Sequence, residues 1–89
     1  MEVVIFTTKE CNPCRSVKAI LADIQDQQKF RMRIVEASRE TFREFERYCI
    51  RSAPTVICLD EEGNKVGDFS GAISKDMIEQ YLKVWGVTK

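Results

Sequence analysis

The apolar positions of the chain change period along its length, and the changes mark its elements. Val3 to Phe6 is an unbroken apolar run, as a strand buried on both faces would be. Val17, Ile20, Leu21 and Ile24 then recur at i, i+3, i+4 and i+7, with Arg15, Lys18, Asp23 and Asp26 between them, which predicts an amphipathic helix. From Phe30 to Ala37 the period drops to two, with Phe30, Met32 and Ile34 on one side and Arg31 and Arg33 on the other. That alternation predicts a half-exposed edge strand whose arginines discourage further pairing. Arg39 to Tyr48 is helical again, with Phe42, Phe45 and Cys49 on one inward stripe and Ser38 as the expected N-cap. Thr55 to Leu59 is a second apolar run, Asp60 to Asn64 turns the chain, and the polar Lys65 to Ser70 reads as the other edge. The last helix is expected to start at Ser74. Ile73 and Ile78 stand at the hydrophobic-staple positions, Ile78, Tyr81, Leu82 and Trp85 form its inward stripe, and Gly86 ends it.

The order β-α-β-α-β-β-α predicts an α/β fold. The first two strands are joined through a helix and should be parallel, by a right-handed crossover, whereas the last two should form an antiparallel hairpin. Placing the two apolar runs centrally gives a four-stranded mixed sheet, order 2-1-3-4, flanked by three helices that cover both faces. The 89 residues suffice for one small domain spanning 1–89.

Charge narrows the partners. Acidic and basic residues number 14 each, so neither nucleic acid nor an anionic membrane is expected as the main partner. No apolar run approaches the roughly 20 residues that span a bilayer, and the N-terminus lacks the pattern of a signal peptide. A cytoplasmic location is expected. A monomer is expected too, since no large apolar stripe is left once the core is assigned.

The chemistry lies in the cysteines. There are four, Cys11, Cys14, Cys49 and Cys58, and no histidine. Cys11 and Cys14 are three apart with Pro13 between them, a spacing that serves a metal clip, a structural bridge or an electron shuttle. In a reducing compartment a permanent disulfide framework is disfavoured. Without histidine there is no Cys/His catalytic pair and no zinc site that needs an imidazole. Cys49 and Cys58 are too far apart in sequence to make a second tight clip, and the stiff proline disfavours a cluster bridged between two chains. No metal or cofactor is called for.

Position favours the shuttle. Cys11 falls where the first strand ends and the first helix begins, and Cys14 shares the buried stripe of Val17 and Leu21. A helix N-terminus offers unpaired N–H groups and a positive partial charge, and both stabilise a thiolate. A cysteine there has its pKa lowered by roughly one to five units from about 8.5, and Lys9 would add to this. Cys11 would then be the nucleophile and Cys14 the resolving thiol. Pro13 fits the first helical turn and stiffens the loop, and Asn12 tolerates turn geometry. Cys58, within an apolar strand, reads as core. Cys49 reads as core by its stripe, with a regulatory thiol as the other reading.

These motifs resemble those of thioredoxins, of the compact, glutaredoxin-sized kind. Cys11-Asn12-Pro13-Cys14 is similar to the family's C-G-P-C, and Tyr48-Cys49-Ile50-Arg51-Ser52-Ala53-Pro54-Thr55 looks like its Y-G-I-R-G-I-P-T. Gly63-Asn64-Lys65 is like the hairpin turn, and Gly71-Ala72-Ile73-Ser74-Lys75 looks like G-A-L-S-K. The likeness covers roughly residues 3 to 85 and lacks the extra N-terminal strand and helix of longer thioredoxins. It implies a cis peptide bond at Pro54, a backbone at Ala53 that pairs with an extended substrate, and space for that substrate at Gly71. Arg51 and Ser52 would join the same binding loop. The implied substrates are protein disulfides, with thioredoxin reductase as electron source and ribonucleotide reductase among the acceptors. Glu10 replaces the family's tryptophan, Ile5 its buried aspartate and Ala19 its mid-helix proline, so the helix should be straighter. Glutaredoxin, recycled by glutathione, is the near alternative; its T-V-P and G-G-acidic segments are here Ser52-Ala53-Pro54 and Ser70-Gly71-Ala72. A non-catalytic binding module with the same fold is another.

Overall fold

Continuous apolar runs fill the middle of one sheet and amphipathic helices close it on both sides. The structure, a computed structural model, describes residues 1–89. Its elements are β1 (Glu2–Thr7), α1 (Asn12–Gln27), β2 (Arg31–Glu36), α2 (Phe42–Arg47), β3 (Thr55–Leu59), β4 (Lys65–Ser70) and α3 (Lys75–Val84). The sheet order is β2-β1-β3-β4. β1 and β2 are parallel, while β1–β3 and β3–β4 are antiparallel.

The apolar runs are central for a physical reason. Val3 to Thr7 and Thr55 to Leu59 are buried throughout, so every side chain on them must be compatible with a core whichever face it points to. On one face Val3, Ile5, Val56, Cys58 and Phe69 meet Val17, Leu21 and Ile24 of α1 and Ile78 and Leu82 of α3. Each fully buried aliphatic side chain contributes about 1.5–3 kcal/mol to holding these layers together. Phe69, Tyr81 and Trp85 pack against one another at this face, with ring centroids 5.1 to 6.0 Å apart. Gly67 leaves room for the Trp85 indole over β4: a Cβ there would run into the ring. On the other face Val4, Phe6, Val35, Ile57 and Leu59 are covered by Phe45, Tyr48 and Ile50 in and after α2. Phe6 and Phe45 meet edge to face at 4.9 Å.

The terminal helix is bounded as expected. Ser74 Oγ accepts the Met77 N–H at 3.2 Å, and Gly86 takes φ 81° just beyond the last turn. The β3–β4 turn is organised by Asp60, whose carboxylate accepts the N–H groups of Glu62 and Asn64, both at 2.9 Å. These bonds, led by that from Asn64, hold its pKa below the ordinary aspartate value.

Three local expectations are corrected. The middle helix begins at Phe42, and Ser38 is not its N-cap. Thr41 Oγ1 instead accepts the Ser38 N–H and donates to the Glu36 carbonyl, so residues 38–41 form a closed turn. Cys49 is exposed, not core: α2 has already ended, and Cys49 adopts φ 56°. Around it the Cys49 N–H donates to Glu46 O at 3.1 Å and the Ile50 N–H to Phe45 O at 2.8 Å. That pair of bonds is a Schellman cap, which requires a left-handed residue at this position. The stripe from Phe42 to Cys49 thus crosses the end of a helix, and Phe42 is 57% exposed. Third, Arg33 is not a free edge charge. It reaches Glu44 of α2 at 2.8 Å and Glu2 at 3.5 Å, tying β2 to its neighbours. Partial burial, the largest single influence, works against that guanidinium's charge, but the bonds and attraction to Glu44 and Glu2 together outweigh it and its pKa is raised.

Candidate active site

β1 delivers the chain to a half-turn, and the next element opens with the cysteine pair. Cys11 is the N-cap of α1, in extended backbone (φ −105°, ψ 100°), and its Sγ accepts the Cys14 N–H at 3.1 Å. An N-cap is ordinarily an oxygen-bearing side chain, so here sulfur supplies the acceptor that one of the orphaned helix N–H groups needs. Pro13 lies in the first turn, where its missing N–H costs nothing. Cys11 and Cys14 are joined in a disulfide, with Cα atoms 5.2 Å apart.

The two sulfurs live in different surroundings. Cys11 is half-buried, less exposed than its place at a helix tip suggests, whereas Cys14 is 1% exposed. The asymmetry follows from helical spacing: Cys14, Val17 and Leu21 lie on one face of α1 and are all buried. Asn12 and Pro13 are exposed between them. Glu10, just before the pair, is exposed and takes φ 56°, a left-handed conformation that nothing in the sequence pattern had signalled.

The second half of the site comes from the start of β3. Phe6 pairs with Thr55, so the residues preceding Thr55 stand at the end of the sheet from which β1 leads to Cys11. The Ala53–Pro54 peptide is cis, as the motif resemblance implied. Neither the N–H nor the C=O of Ala53 takes part in a hydrogen bond within the chain. Pro54 is buried, and its carbonyl accepts the Gly71 N–H at 2.8 Å, which brings the segment after β4 against the same loop. Gly71 has φ 84°, and a Cβ added there would meet open space. Ser52 accepts from Thr55 Oγ1 through its carbonyl at 2.8 Å, and Arg51 and Ser52 are exposed.

Of the remaining cysteines, Cys58 stands apart from this arrangement. Cys58 is fully buried in β3, and burial pushes its thiol pKa up. No group of three or more His, Cys, Asp or Glu side chains stands together where a metal ion would be held. No helix is long and apolar enough to cross a membrane.

A mixed four-stranded sheet with a bonded C-x-x-C at a helix start and a cis-proline loop at the same end of the sheet defines a thioredoxin-like protein. The family comparison agrees: a model described as a thioredoxin-like domain matches residues 2–85, and the chain belongs to that family. No curated protein sequence matches it. Among solved structures it is similar to the reduced thioredoxin pre-protein of Schistosoma mansoni, with TM-score 0.78 and 25% identity over 94% of this chain and 77% of that one. It is also similar to an uncharacterized thioredoxin-like protein from Clostridium perfringens, with TM-score 0.83 and 25% identity over 97% of this chain and 71% of the other. Thioredoxin 1 of Thermosipho africanus shares the fold and the size, with TM-score 0.73 and 21% identity over 97% of this chain and 99% of that one. The fold together with the bonded cysteine pair supports thiol–disulfide chemistry.

Proposed function

We propose that the chain is a thiol–disulfide oxidoreductase that reduces protein disulfides, with Cys11 as nucleophile and Cys14 as resolving thiol. The observation that carries this reading is the unequal burial of two bonded sulfurs at one helix start. In the reduced protein, the Cys11 thiolate would sit at the positive end of α1, with the Cys14 N–H already aimed at its sulfur. It attacks one sulfur of a substrate disulfide. A mixed disulfide forms, and the other substrate sulfur leaves as a thiolate and takes up a proton. Cys14 then loses its proton and attacks Cys11 Sγ from the buried side. The second substrate sulfur is released and the Cys11–Cys14 bond closes. The substrate gains the two electrons that the dithiol loses. A dithiol reductase of the thioredoxin reductase class, or glutathione, restores the reduced pair.

The binding loop supports a polypeptide substrate. Ala53 offers a free N–H and a free C=O, the pair of groups needed to hold one residue of an added strand. Arg51, Ser52, Pro54 and Gly71 frame that position. Donation of electrons to ribonucleotide reductase is compatible with this chemistry. A cytoplasmic, reducing location and a monomeric state belong to the same proposal.

The test is the reduction of insulin by dithiothreitol, followed as turbidity, with and without the protein. Acceleration that disappears in Cys11→Ser is expected. If wild type and variant accelerate equally, or neither does, the chain is a binding module instead. Comparing NADPH-linked recycling by a thioredoxin reductase with recycling by glutathione then separates thioredoxin from glutaredoxin behaviour.

A further inference from the structure

We propose that a cleft running outward from Ala53 to Phe42 selects the substrate: it receives an extended protein segment with a carboxylate near its reacting cysteine and a bulky apolar side chain further out. The proposal rests on the reading of the chain as a protein-disulfide reductase and names the class of segment that the same site prefers.

Two concavities make the cleft. The inner one, about 430 Å³, is lined by Thr8, Arg51, Ser52 and Ala53 among others. The outer one, about 480 Å³, is lined by Phe42, Glu46 and Cys49 among others. Ala37, Phe45, Ile50 and Arg51 line both, so the two adjoin. The inner end is anchored at the site: Thr8 lies three residues before Cys11, and Ala53 precedes the cis proline.

The lining changes character with distance from Ala53. Arg51, exposed and without an ion pair or hydrogen bond, is the one cation of the lining and borders both parts. Phe45 and Ile50 make an apolar wall along both parts, and the 57% exposed Phe42 extends it on the outer one. Glu46 lies only on the outer part. The inner part therefore carries a cation alone, and the outer part adds an exposed aromatic ring and an anion. A carboxylate on the segment is attracted by Arg51 where Glu46 does not reach, an apolar side chain beyond it covers the exposed ring of Phe42, and a basic residue is tolerated only at the far end. The free Ala53 N–H and C=O fix the segment's backbone at the inner end, which sets the register of these preferences. Exposed apolar surface beside a charged rim is the usual mark of an interaction site.

The experiment uses short cysteine peptides held as mixed disulfides with 2-mercaptoethanol. One carries Asp and Leu beside the cysteine, a second Lys and Leu, a third Asp and Ser. Their single-turnover reduction by the reduced protein is compared. At low salt the Asp–Leu peptide is expected to react about tenfold faster than the Lys–Leu peptide, roughly threefold from attraction and threefold from repulsion. The Asp–Ser peptide should fall several-fold below Asp–Leu. In Arg51→Glu the Asp/Lys ratio should invert, in Arg51→Gln it should approach one, and in Phe42→Ser the Leu/Ser preference should vanish. Each reading is a ratio within one variant, so partial unfolding does not mimic it. About 0.5 M salt should shrink the charge preference. Equal rates for all three peptides, or ratios untouched by Arg51→Glu, would overturn the cleft proposal and leave the oxidoreductase standing. If bis(2-hydroxyethyl) disulfide is reduced no faster by wild type than by Cys11→Ser, the oxidoreductase reading fails and the cleft proposal falls with it.

Discussion

Replacing Cys49 by glycine is expected to make the protein more stable, although the substitution removes atoms. Cys49 holds φ 56° because the two bonds of the α2 cap, from its own N–H and from that of Ile50, can close only if this residue is left-handed. For a residue with a Cβ that conformation costs roughly 1–2 kcal/mol. Glycine escapes the cost but loses more freedom on folding, by roughly 0.5–1 kcal/mol relative to alanine. The Cys49 side chain is exposed, so little buried packing is lost in exchange. The net expectation is a gain of about 0.5–1 kcal/mol, which for a domain of this size raises Tm by about 2–8 °C. Urea denaturation and calorimetry of wild type, Cys49→Gly and Cys49→Ala provide the measurement. Cys49→Ala keeps the Cβ and the strain, so it should stay within about 0.5 kcal/mol of wild type. A glycine variant no more stable than the alanine variant would show that the left-handed backbone at Cys49 stores no such strain.

Two further outcomes follow from the packing. Treated with iodoacetamide in the disulfide form, the native protein should take label at Cys49 and not at the buried Cys58, whose thiol is also held protonated by burial; Cys58 should label only in denaturant. Equal labelling of both in native buffer would contradict the packing of β3. Gly67→Ala should cost about 1–3 kcal/mol, because its Cβ would overlap the Trp85 indole and the ring would have to shift. Trp85 is the single tryptophan, so its fluorescence reports that shift directly, and an unchanged spectrum with unchanged stability would refute the overlap.

Most of the architecture was legible because its strongest signals are long and periodic. Val3 to Phe6 and Thr55 to Leu59 could not be surface strands, and the stripe from Val17 to Ile24 could face only one way. Those constraints led to the order β2-β1-β3-β4. Legibility failed around α2, which has only six residues. A stripe read from Phe42 through Cys49 treats as helix what is a turn, a short helix and a cap, and periodicity has no means of marking where a six-residue helix stops. The family's glycine at the position of Cys49 was the available sign that the backbone there turns left-handed. The ion pair of Arg33 was not legible for a different reason: alternation places a residue on one side of a strand and says nothing of which residue of another element lies within its reach. At the site, the cysteine pair was conspicuous from its spacing, whereas the cleft was not. It is assembled from residues of four separate segments, and only the three-dimensional arrangement brings Thr8, Ala37, Phe45 and Ala53 to one wall.

The sulfur of Cys11 closes the end of α1 as well as standing ready for exchange. Removing it to make an inert control therefore does two things at once. Alanine would abolish reactivity and also leave the Cys14 amide without its acceptor, so a loss of binding in that variant would conflate chemistry with a frayed first turn. Serine keeps an oxygen in the same place, and it is the substitution that isolates the redox question from the integrity of the scaffold.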